Sequence, residues 1–361
     1  MDRGATVTWD WAFAWKDKEP TEISAIQHAY NILIDLGDSV FASECQNEPI
    51  RQSFGLEMLP ADMIMRKQSP YSRGQVPPEC DVLVSKIDVH SQILYWHVWA
   101  FGPDFTGYLV DHGVFPEQGR QLFAHTTLPR PLKSLFPQHD HNSTIFAGLK
   151  ALNEGCDALQ WTGLLQRRWT RTDGVPMRIQ RQHIDASGEA KEAVIGYTRA
   201  SAFAAVITPA YGKGISARVK PISEWQGATV RRSPGPEWAY VKPKPDEPQS
   251  VLFDSNYWKT RFHRGLALPE GSQGALYVFK DDPAAFRRLA AHWLAETPKA
   301  TYSEGRLVFE FVNQPGRDNH DLDCAVGCLV AASQCGVSHI PKPPKRMKKS
   351  LQQYHHDAQR A

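Results

Sequence analysis

The sequence has no apolar run approaching the roughly 20 residues that a membrane span needs. Its start, MDRGATVTWDW, also lacks the apolar stretch of a secretion signal. Six Cys in 361 residues, without regular spacing, are too few for a disulfide framework and are expected to be reduced. The net charge is only +2, so no global field points to nucleic acid. These absences predict a cytoplasmic protein without a membrane segment.

Several site signatures are also missing. AYGKGIS (210–216) has neither the spacing nor the hydroxyl of a G-x-x-x-x-G-K-S/T phosphate loop, so motor ATPase activity is not expected. Without a G-x-S-x-G string, a serine hydrolase of that kind has no support. No second Cys or His pair at zinc-finger spacing follows Cys324 and Cys328, so buried small residues are favoured over zinc. QHDHNS (138–143) favours a polar turn before a helix over a metal site.

The chain divides by pattern into three parts. Residues 1–79 predict two helices followed by a proline-containing linker. Residues 80–340 predict a folded domain, and 341–361 form a basic tail. Such a tail is usually a solvated end, with contact to DNA or an acidic partner as the alternative. Its candidate DNA contacts are Lys345, Arg346, Lys348 and Lys349.

The folded part predicts an α/β protein with a ribonuclease-H-like mixed sheet flanked by helices. Three strands separated by HSQ and GPD are expected to form antiparallel hairpins, and later strands are entered through helices. The predicted strands are 82–89, 93–101, 106–112, 177–185, 203–210 and 300–312. The predicted helices are 144–154, 156–166, 189–199, 283–296 and 319–334, and 251–268 is predicted as a strand that runs into a helix.

Three acids stand out against this pattern. Asp88 in KIDVH and Asp185 in HIDASG each follow an Ile near the end of a strand. Asp323 lies inside the apolar helix that follows GRDNHDLD, where N-terminal capping does not account for it. Each signal is weak alone, because an Asp at a strand end commonly forms a turn. Together they predict three carboxylates at one edge of the sheet.

Three converging carboxylates repel one another unless cations neutralise them. Hard divalent ions such as Mg²⁺ and Mn²⁺ prefer oxygen ligands. This arrangement suits two-metal phosphodiester hydrolysis. The prediction is therefore that Asp88, Asp185 and Asp323 hold two Mg²⁺ or Mn²⁺ ions, with Asp88 bridging both in the geometry of that fold.

Four segments resemble the nuclease half of gpA-type phage terminase large subunits. They are KIDVHSQILYWHVWAFGPDFTGYLVDHGVFPEQ, HIDASGEAKEAVIGYTR, FDSNYWKTRFHRGLALP and GRDNHDLDCAVGCLVAAS. The family's acids lie in an IDVQ-like strand, an ID(S/A)G-like strand end and an N-x-x-LDC-like helix start. They fall on Asp88, Asp185 and Asp323, while His90 replaces the Gln that often follows the first acid.

The resemblance implies a phage or prophage endonuclease that cuts concatemeric double-stranded DNA during packaging in the bacterial cytoplasm. The implied partners are the portal protein, the small terminase subunit and a separately supplied ATPase part. Residues 1–79 resemble the end of the terminase ATPase domain, whose phosphate loop is absent here. The chain is therefore expected to be the nuclease half of a split or partial terminase.

Two other functions remain open on the sequence alone. One is a docking remnant that binds DNA or the portal without cutting, and the other is a ribonuclease-H-like resolvase. Retention of all three acids argues against the first alternative, and the wider resemblance argues against the second. Further candidate DNA contacts are Lys213, Arg218, Lys220 and Lys259, each of which could equally be an ordinary surface charge.

Overall fold

The computed structural model describes residues 24–36, 55–120, 122–123, 127–225, 235–303 and 305–338. The chain divides into two compact units, Met1–Gly55 and Leu56–Ala361. In the first unit, α1 (Ala25–Leu36) forms where apolar residues recur at helical spacing. The second helix predicted there and the basic tail lie outside the described residues. Among the described helices, none has the length and hydropathy of a membrane span.

The segment 60–79, predicted as a linker, is instead folded into the second unit. It forms α2 (Ala61–Arg66), β1 (Gln68–Ser72) and β2 (Gln75–Val76). Pro60 precedes the helix and Pro70 lies on an edge strand, where a missing N–H is tolerated. Proline content therefore misled the linker prediction, while descent of 1–79 from an ATPase domain stays a prediction.

Three hairpin-connected strands form the centre of the second unit, as predicted. They are β3 (Val82–Val89), β4 (Leu94–Phe101) and β5 (Gly107–Phe115). β3 pairs antiparallel with β4, which places Asp88 opposite Tyr95, and β4 pairs antiparallel with β5. Their nearly continuous apolar sequence reflects burial on both faces of the sheet.

The remaining strands are β6 (Trp169–Arg171), β7 (Pro176–Met177), β8 (Arg181–Asp185), β9 (Ile207–Lys213), β10 (Trp238–Val241), β11 (Ser250–Asp254), β12 (Leu276–Lys280), β13 (Glu296–Ser303) and β14 (Arg306–Asn313). Of these, β8 to β12 extend this centre on both sides, β6 and β7 pair with β2 in a separate three-stranded sheet, and β13 and β14 form a separate hairpin. The nine-stranded sheet has the order β1-β12-β5-β4-β3-β8-β9-β11-β10. β8 runs parallel to β3, and β9 parallel to β8. This mixed sheet confirms the predicted ribonuclease-H-like α/β class.

Helices cover both faces of the sheet. They are α3 (Leu132–Leu135), α4 (His141–Glu154), α5 (Lys191–Ala200), α6 (Ser255–Ala267), α7 (Arg287–Trp293) and α8 (His320–Gln334). Alternate strand residues belong to different cores, because successive side chains point to opposite faces. Val84 and Trp99 join the core with α6, α7 and α8, whereas Leu83 and Ile87 join the core with α4 and α5.

The structure defines the bounds of three elements that the sequence predicted around residues 138–166 and 283–296. The turn predicted at 138–143 caps α4, because the Asp140 carboxylate accepts a hydrogen bond from the Ser143 N–H at 2.7 Å. The helix predicted over 156–166 is only a short 3₁₀ turn at Asp157–Leu159. The helix predicted over 283–296 ends at Trp293, and Glu296 begins the β13–β14 hairpin.

Two glycines, one tightly packed and one open, allow the packing around them to be tested. A Cβ at Gly163 would lie 2.2 Å from the backbone oxygen of Asn153, whereas a Cβ at Gly196 in α5 would meet nothing nearer than a Phe146 ring atom at 4.0 Å. We expect Gly163→Ala to lower the free energy of unfolding by about 1–3 kcal/mol through overpacking. Gly196→Ala should raise it by about 0.5–1 kcal/mol, because Ala favours the helix. Urea denaturation measures both, and a shift of the same sign in the two variants would contradict this packing.

Candidate active site

Two aspartates lie near the ends of neighbouring parallel strands. β3 and β8 pair with Lys86 opposite His183 and Ile87 opposite Ile184, and Asp88 and Asp185 are the next residue on each strand. Adjacent strands lie about 4.8 Å apart, and paired residues project from the same face. The fold therefore places these two residues on neighbouring strands, with their side chains on the same face of the sheet.

The helix α8 brings a third acid to that face. It packs across β3, β4 and β8, with Asp323 in its first turn. Gly327, one turn further, lets the helix approach closely, because a Cβ there would lie 2.6 Å from Lys86 Cγ and Cδ. The close packing that the sequence suggested for Gly327 is thus present, and its contact on the sheet is a lysine side chain.

Asp88 is held by a histidine from α8. Nδ1 of His320 lies 2.7 Å from Asp88 Oδ2, and the imidazole stacks on Tyr95 with ring centroids 4.4 Å apart. Burial alone would raise the pKa of Asp88, but the hydrogen bond and charge of His320 hold it below its usual value. Burial opposes protonation of His320, yet Asp88 raises the pKa of the imidazole. The two groups therefore favour a charged pair.

Asp185 has a different electrostatic environment. Its Oδ1 accepts a hydrogen bond from the Ser187 hydroxyl at 3.0 Å. Burial raises the pKa of Asp185; the positive charge of Lys86 opposes this rise, and the negative charge of Asp88 adds to it. The repulsion expected between two neighbouring carboxylates is therefore present at this edge of the sheet.

Asp323 belongs to a small polar network that joins three elements. Its Oδ1 lies 3.2 Å from Lys259 Nζ of α6, and its Oδ2 accepts a hydrogen bond from Asn319 Nδ2 at 3.0 Å. Lys259 and Asn319 both also contact Glu296 Oε1, at 2.5 and 2.6 Å. Burial raises the pKa of Asp323, Lys259 opposes the rise, and the charges of Asp88 and Glu296 add to it.

Asp321, two residues earlier, points into the core instead. Its oxygens lie 3.0 Å from His97 Nε2, 3.0 Å from Arg288 Nε and 2.9 Å from His292 Nδ1. Burial alone would raise the pKa of Asp321, but the charges of Arg288 and His292 and the histidine hydrogen bonds hold it well below its usual value. This buried network fixes the first turn of α8 against β4 and α7.

One triplet of possible metal ligands is compact in the described part of the chain: His97, His112 and Asp321, whose ligand atoms all lie within 4.8 Å of one another. The guanidinium of Arg288 already reaches both His112 Nδ1, at 3.4 Å, and Asp321. An arginine cation therefore neutralises this cluster, which supports a structural role for it. Asp88, Asp185 and Asp323 are not such a compact triplet, so their oxygens are spread more widely.

The candidate DNA contacts fall into three groups. Lys213, Arg218 and Lys220 are exposed on β9 and the loop after it, and Lys213 lies over the Trp225 ring at 5.6 Å. Lys259 is buried and contacts Asp323, so it belongs to the acidic site and not to the outer surface. The tail residues Lys345, Arg346, Lys348 and Lys349 lie outside the described residues.

The donor chemistry of the three acids fits hard divalent cations. Asp88, Asp185 and Asp323 offer only carboxylate oxygens, the ligands that Mg²⁺ and Mn²⁺ prefer. Burial raises the pKa of the nearby Cys324 and Cys328 thiols well above its usual value. The donor set of the three acids therefore fits an oxygen-ligated metal.

Sequence reasoning missed three contributors to this site: Lys86, Glu296 and His320. Lys86 carried a readable signal, since it is a charge within an otherwise apolar strand, two residues before an acid. Glu296 carried none, because it was assigned to the end of a helix and starts a hairpin instead. The local sequence alone also did not separate the core-facing Asp321 from the site-facing Asp323.

The Asp321 network generates a stability prediction. Asp321→Asn should leave Arg288 without its buried counter-charge and lower the free energy of unfolding by about 3–5 kcal/mol near neutral pH. The lowered pKa of Asp321 stabilises the fold above the usual aspartate range and loses that contribution as pH falls through the folded-state pKa. The variant should therefore lose less stability in acid than the wild type. Denaturation at several pH values measures this, with Asp62→Asn on the exposed start of α2 as control.

Comparison with known proteins identifies a family for the chain. The family model of the terminase large subunit gpA endonuclease domain matches residues 47–343, which include Asp88, Asp185 and Asp323. No curated protein and no solved structure matches the chain. Because the family match spans most of the 361 residues, the chain belongs to the gpA endonuclease domain family of terminase large subunits.

Proposed function

We propose that the protein is a metal-dependent endodeoxyribonuclease that cuts concatemeric phage DNA during genome packaging. Membership of the gpA endonuclease family supports a nuclease role in packaging. The observation that supports the metal-dependent mechanism is that Asp88 and Asp185 lie on paired strands and Asp323 lies on the helix packed across them. A docking remnant would have no need to retain three repelling carboxylates at one edge.

In this mechanism Asp88, Asp185 and Asp323 hold two Mg²⁺ or Mn²⁺ ions. When bound, such ions supply an activated water at neutral pH and positive charge at the leaving oxygen. His320 orients the Asp88 carboxylate through the 2.7 Å contact. Lys259 and Asn319 orient the Asp323 carboxylate from two sides. The acids are thus held in place before the substrate arrives, which reduces the ordering required at the reacting phosphate.

The substrate we propose is double-stranded DNA, recognised through its backbone. Lys213, Arg218 and Lys220 are exposed and could contact phosphates, which carry no base information. The basic tail would add to this attraction. The packaging ATPase, the portal protein and the small terminase subunit would complete the packaging machine in the host cytoplasm.

DNA cleavage should depend on Asp88, which lies near the end of β3. With Mn²⁺ present, the wild-type protein should nick or linearise supercoiled plasmid with little sequence preference, and ATP should make no difference. Asp88→Ala should reduce cleavage by at least about a thousandfold, because metal-ion stabilisation of the transition state supplies several kcal/mol. DNA binding should persist, since Lys and Arg side chains hold the duplex.

Plasmid nicking and electrophoretic mobility shifts measure these two properties, and Asp62→Ala provides an exposed acid as control. If the wild type and Asp88→Ala bind DNA alike and neither cuts it with any divalent ion, the protein is a docking module and the proposal is wrong.

Metal binding should also raise the stability of the folded protein. A ligand that binds only the folded state stabilises it by about 2.7 kcal/mol at a concentration of 100 Kd. Mn²⁺ should therefore raise the melting temperature of the wild type, and the rise should shrink in Asp88→Asn, which loses one ligand charge. Differential scanning fluorimetry measures both proteins in a Mn²⁺ titration. An equal rise in the two proteins would place the ion elsewhere.

A further inference from the structure

A cleft with a volume of about 280 Å³ lies beside α6. One wall is polar and is formed by α6, with Thr260, Arg261 and Arg264. The other wall is apolar and is formed by Phe105, Leu276 and Leu329, which come from three different parts of the chain. The cleft therefore combines positive charge with an apolar surface, as ligand sites commonly do.

This cleft is remote from the acidic site. Leu276 pairs with Gly107 at the start of β5, and Gly107 pairs with Phe101 at the end of β4. Phe101 in turn lies opposite Val82, at the end of β3 away from Asp88. Since each strand residue adds about 3.3 Å, the cleft lies about 20 Å from the acidic site. It is a separate place on the protein.

Arg261 lines the cleft as a cation with an unused donor. Its guanidinium lies over the Phe105 ring, with Cζ 4.1 Å from the ring centroid, and 5.5 Å from the centroid of Trp258. The Nη2 atom is buried and has no hydrogen-bond partner among the described residues. Burial lowers the pKa of Arg261, and within the described chain Tyr257 is the group that opposes this effect. A buried donor on a cation is costly unless an anion meets it.

A second arginine adds to this charge without an acid to offset it. Arg264 lies one turn further along α6, is exposed and also lines the cleft. The described residues that line the cleft include no Asp or Glu. Glu270, in the loop after α6, acts on the pKa of Lys67 instead. Arg288 shows the contrast, because it lies 3.0 Å from the buried carboxylate of Asp321.

From this arrangement we infer that the cleft binds an acidic peptide segment of a protein partner, with a carboxylate on Arg261 and Arg264 and an aliphatic side chain on the apolar wall. A guanidinium held flat against a ring presents its donors in a fixed plane, which matches the two oxygens of a carboxylate. The phosphate backbone of duplex DNA carries no aliphatic side chain and would leave the apolar wall uncovered. The inference concerns a second site and does not depend on the metal site.

The direct test uses two capped dipeptides and the full chain, with binding followed by saturation-transfer NMR. The first, N-acetyl-aspartyl-leucine amide, carries the carboxylate and the aliphatic side chain, and N-acetyl-asparaginyl-leucine amide is its neutral counterpart. We expect the acidic dipeptide to bind at least about tenfold more tightly, because hydrogen bonds between ionised groups are the stronger ones. Absence of saturable binding by the wild type, or equal binding of the two dipeptides, would overturn the inference.

Variants locate the binding in the cleft. Arg261→Met removes the charge and should abolish the preference for the acidic dipeptide, whereas Arg199→Met, on the exposed surface of α5, should retain it. A preference that persists in Arg261→Met would mean that the dipeptide binds elsewhere, and the inference would be wrong. A loss of duplex DNA affinity in Arg261→Met, measured in EDTA, with the dipeptide preference unchanged would assign the cleft to DNA.

The stability of Arg261→Met supplies a second, independent measurement. Because the variant replaces a cation that has no acidic partner in the described chain by an apolar side chain, its melting temperature should equal or exceed that of the wild type. A large fall in the melting temperature, or failure to fold, would show that the stacking of Arg261 on Phe105 is structural. That result would overturn the assignment of Arg261 to a binding site.

Discussion

The crowding of carboxylates at one edge of a sheet is the constraint on which the rest of this site depends. Acids that share a small volume repel one another, and burial adds to the cost of each charge. Positive groups lie beside two of these acids: His320 contacts Asp88 at 2.7 Å, and Lys259 lies 3.2 Å from Asp323. The charge of Lys86 opposes the rise in the pKa of Asp185. These charges offset part of the repulsion among the acids.

The helix α8 connects the acidic site to the core. Two acids in its first turn, Asp321 and Asp323, have opposite surroundings. Asp321 is locked by Arg288 and two histidines inside the protein, whereas the side chain of Asp323 remains 35% exposed at the site. Since a two-residue step turns a helix through about 200°, fixing one acid in the core also fixes the direction of the other.

Much of this architecture could be predicted from the sequence, for physical reasons. The strand β3 was predicted with both its ends, because apolar residues and turn signals mark them. The late helix was predicted to within a residue from its apolar pattern. The strand within the segment 60–79 could not be predicted. A proline is tolerated there because β1 lies at the edge of the sheet, and the local sequence does not reveal which strand lies at an edge. Glu296 was missed for a similar reason, because it meets Lys259 only through tertiary packing.

The contact between Gly327 and Lys86 has a consequence for how this sequence can change. A glycine inside a helix is unfavourable by roughly 1 kcal/mol relative to alanine, so it persists only while something occupies the space that a methyl group would fill. Here the occupant is a lysine stem 2.6 Å from that position. Replacement of the lysine by a short side chain would remove the reason for the glycine, and any side chain at 327 would first require the lysine to leave. We therefore expect these two positions, 241 residues apart in the chain, to covary among related sequences. A lysine at the first position should be accompanied by a glycine at the second.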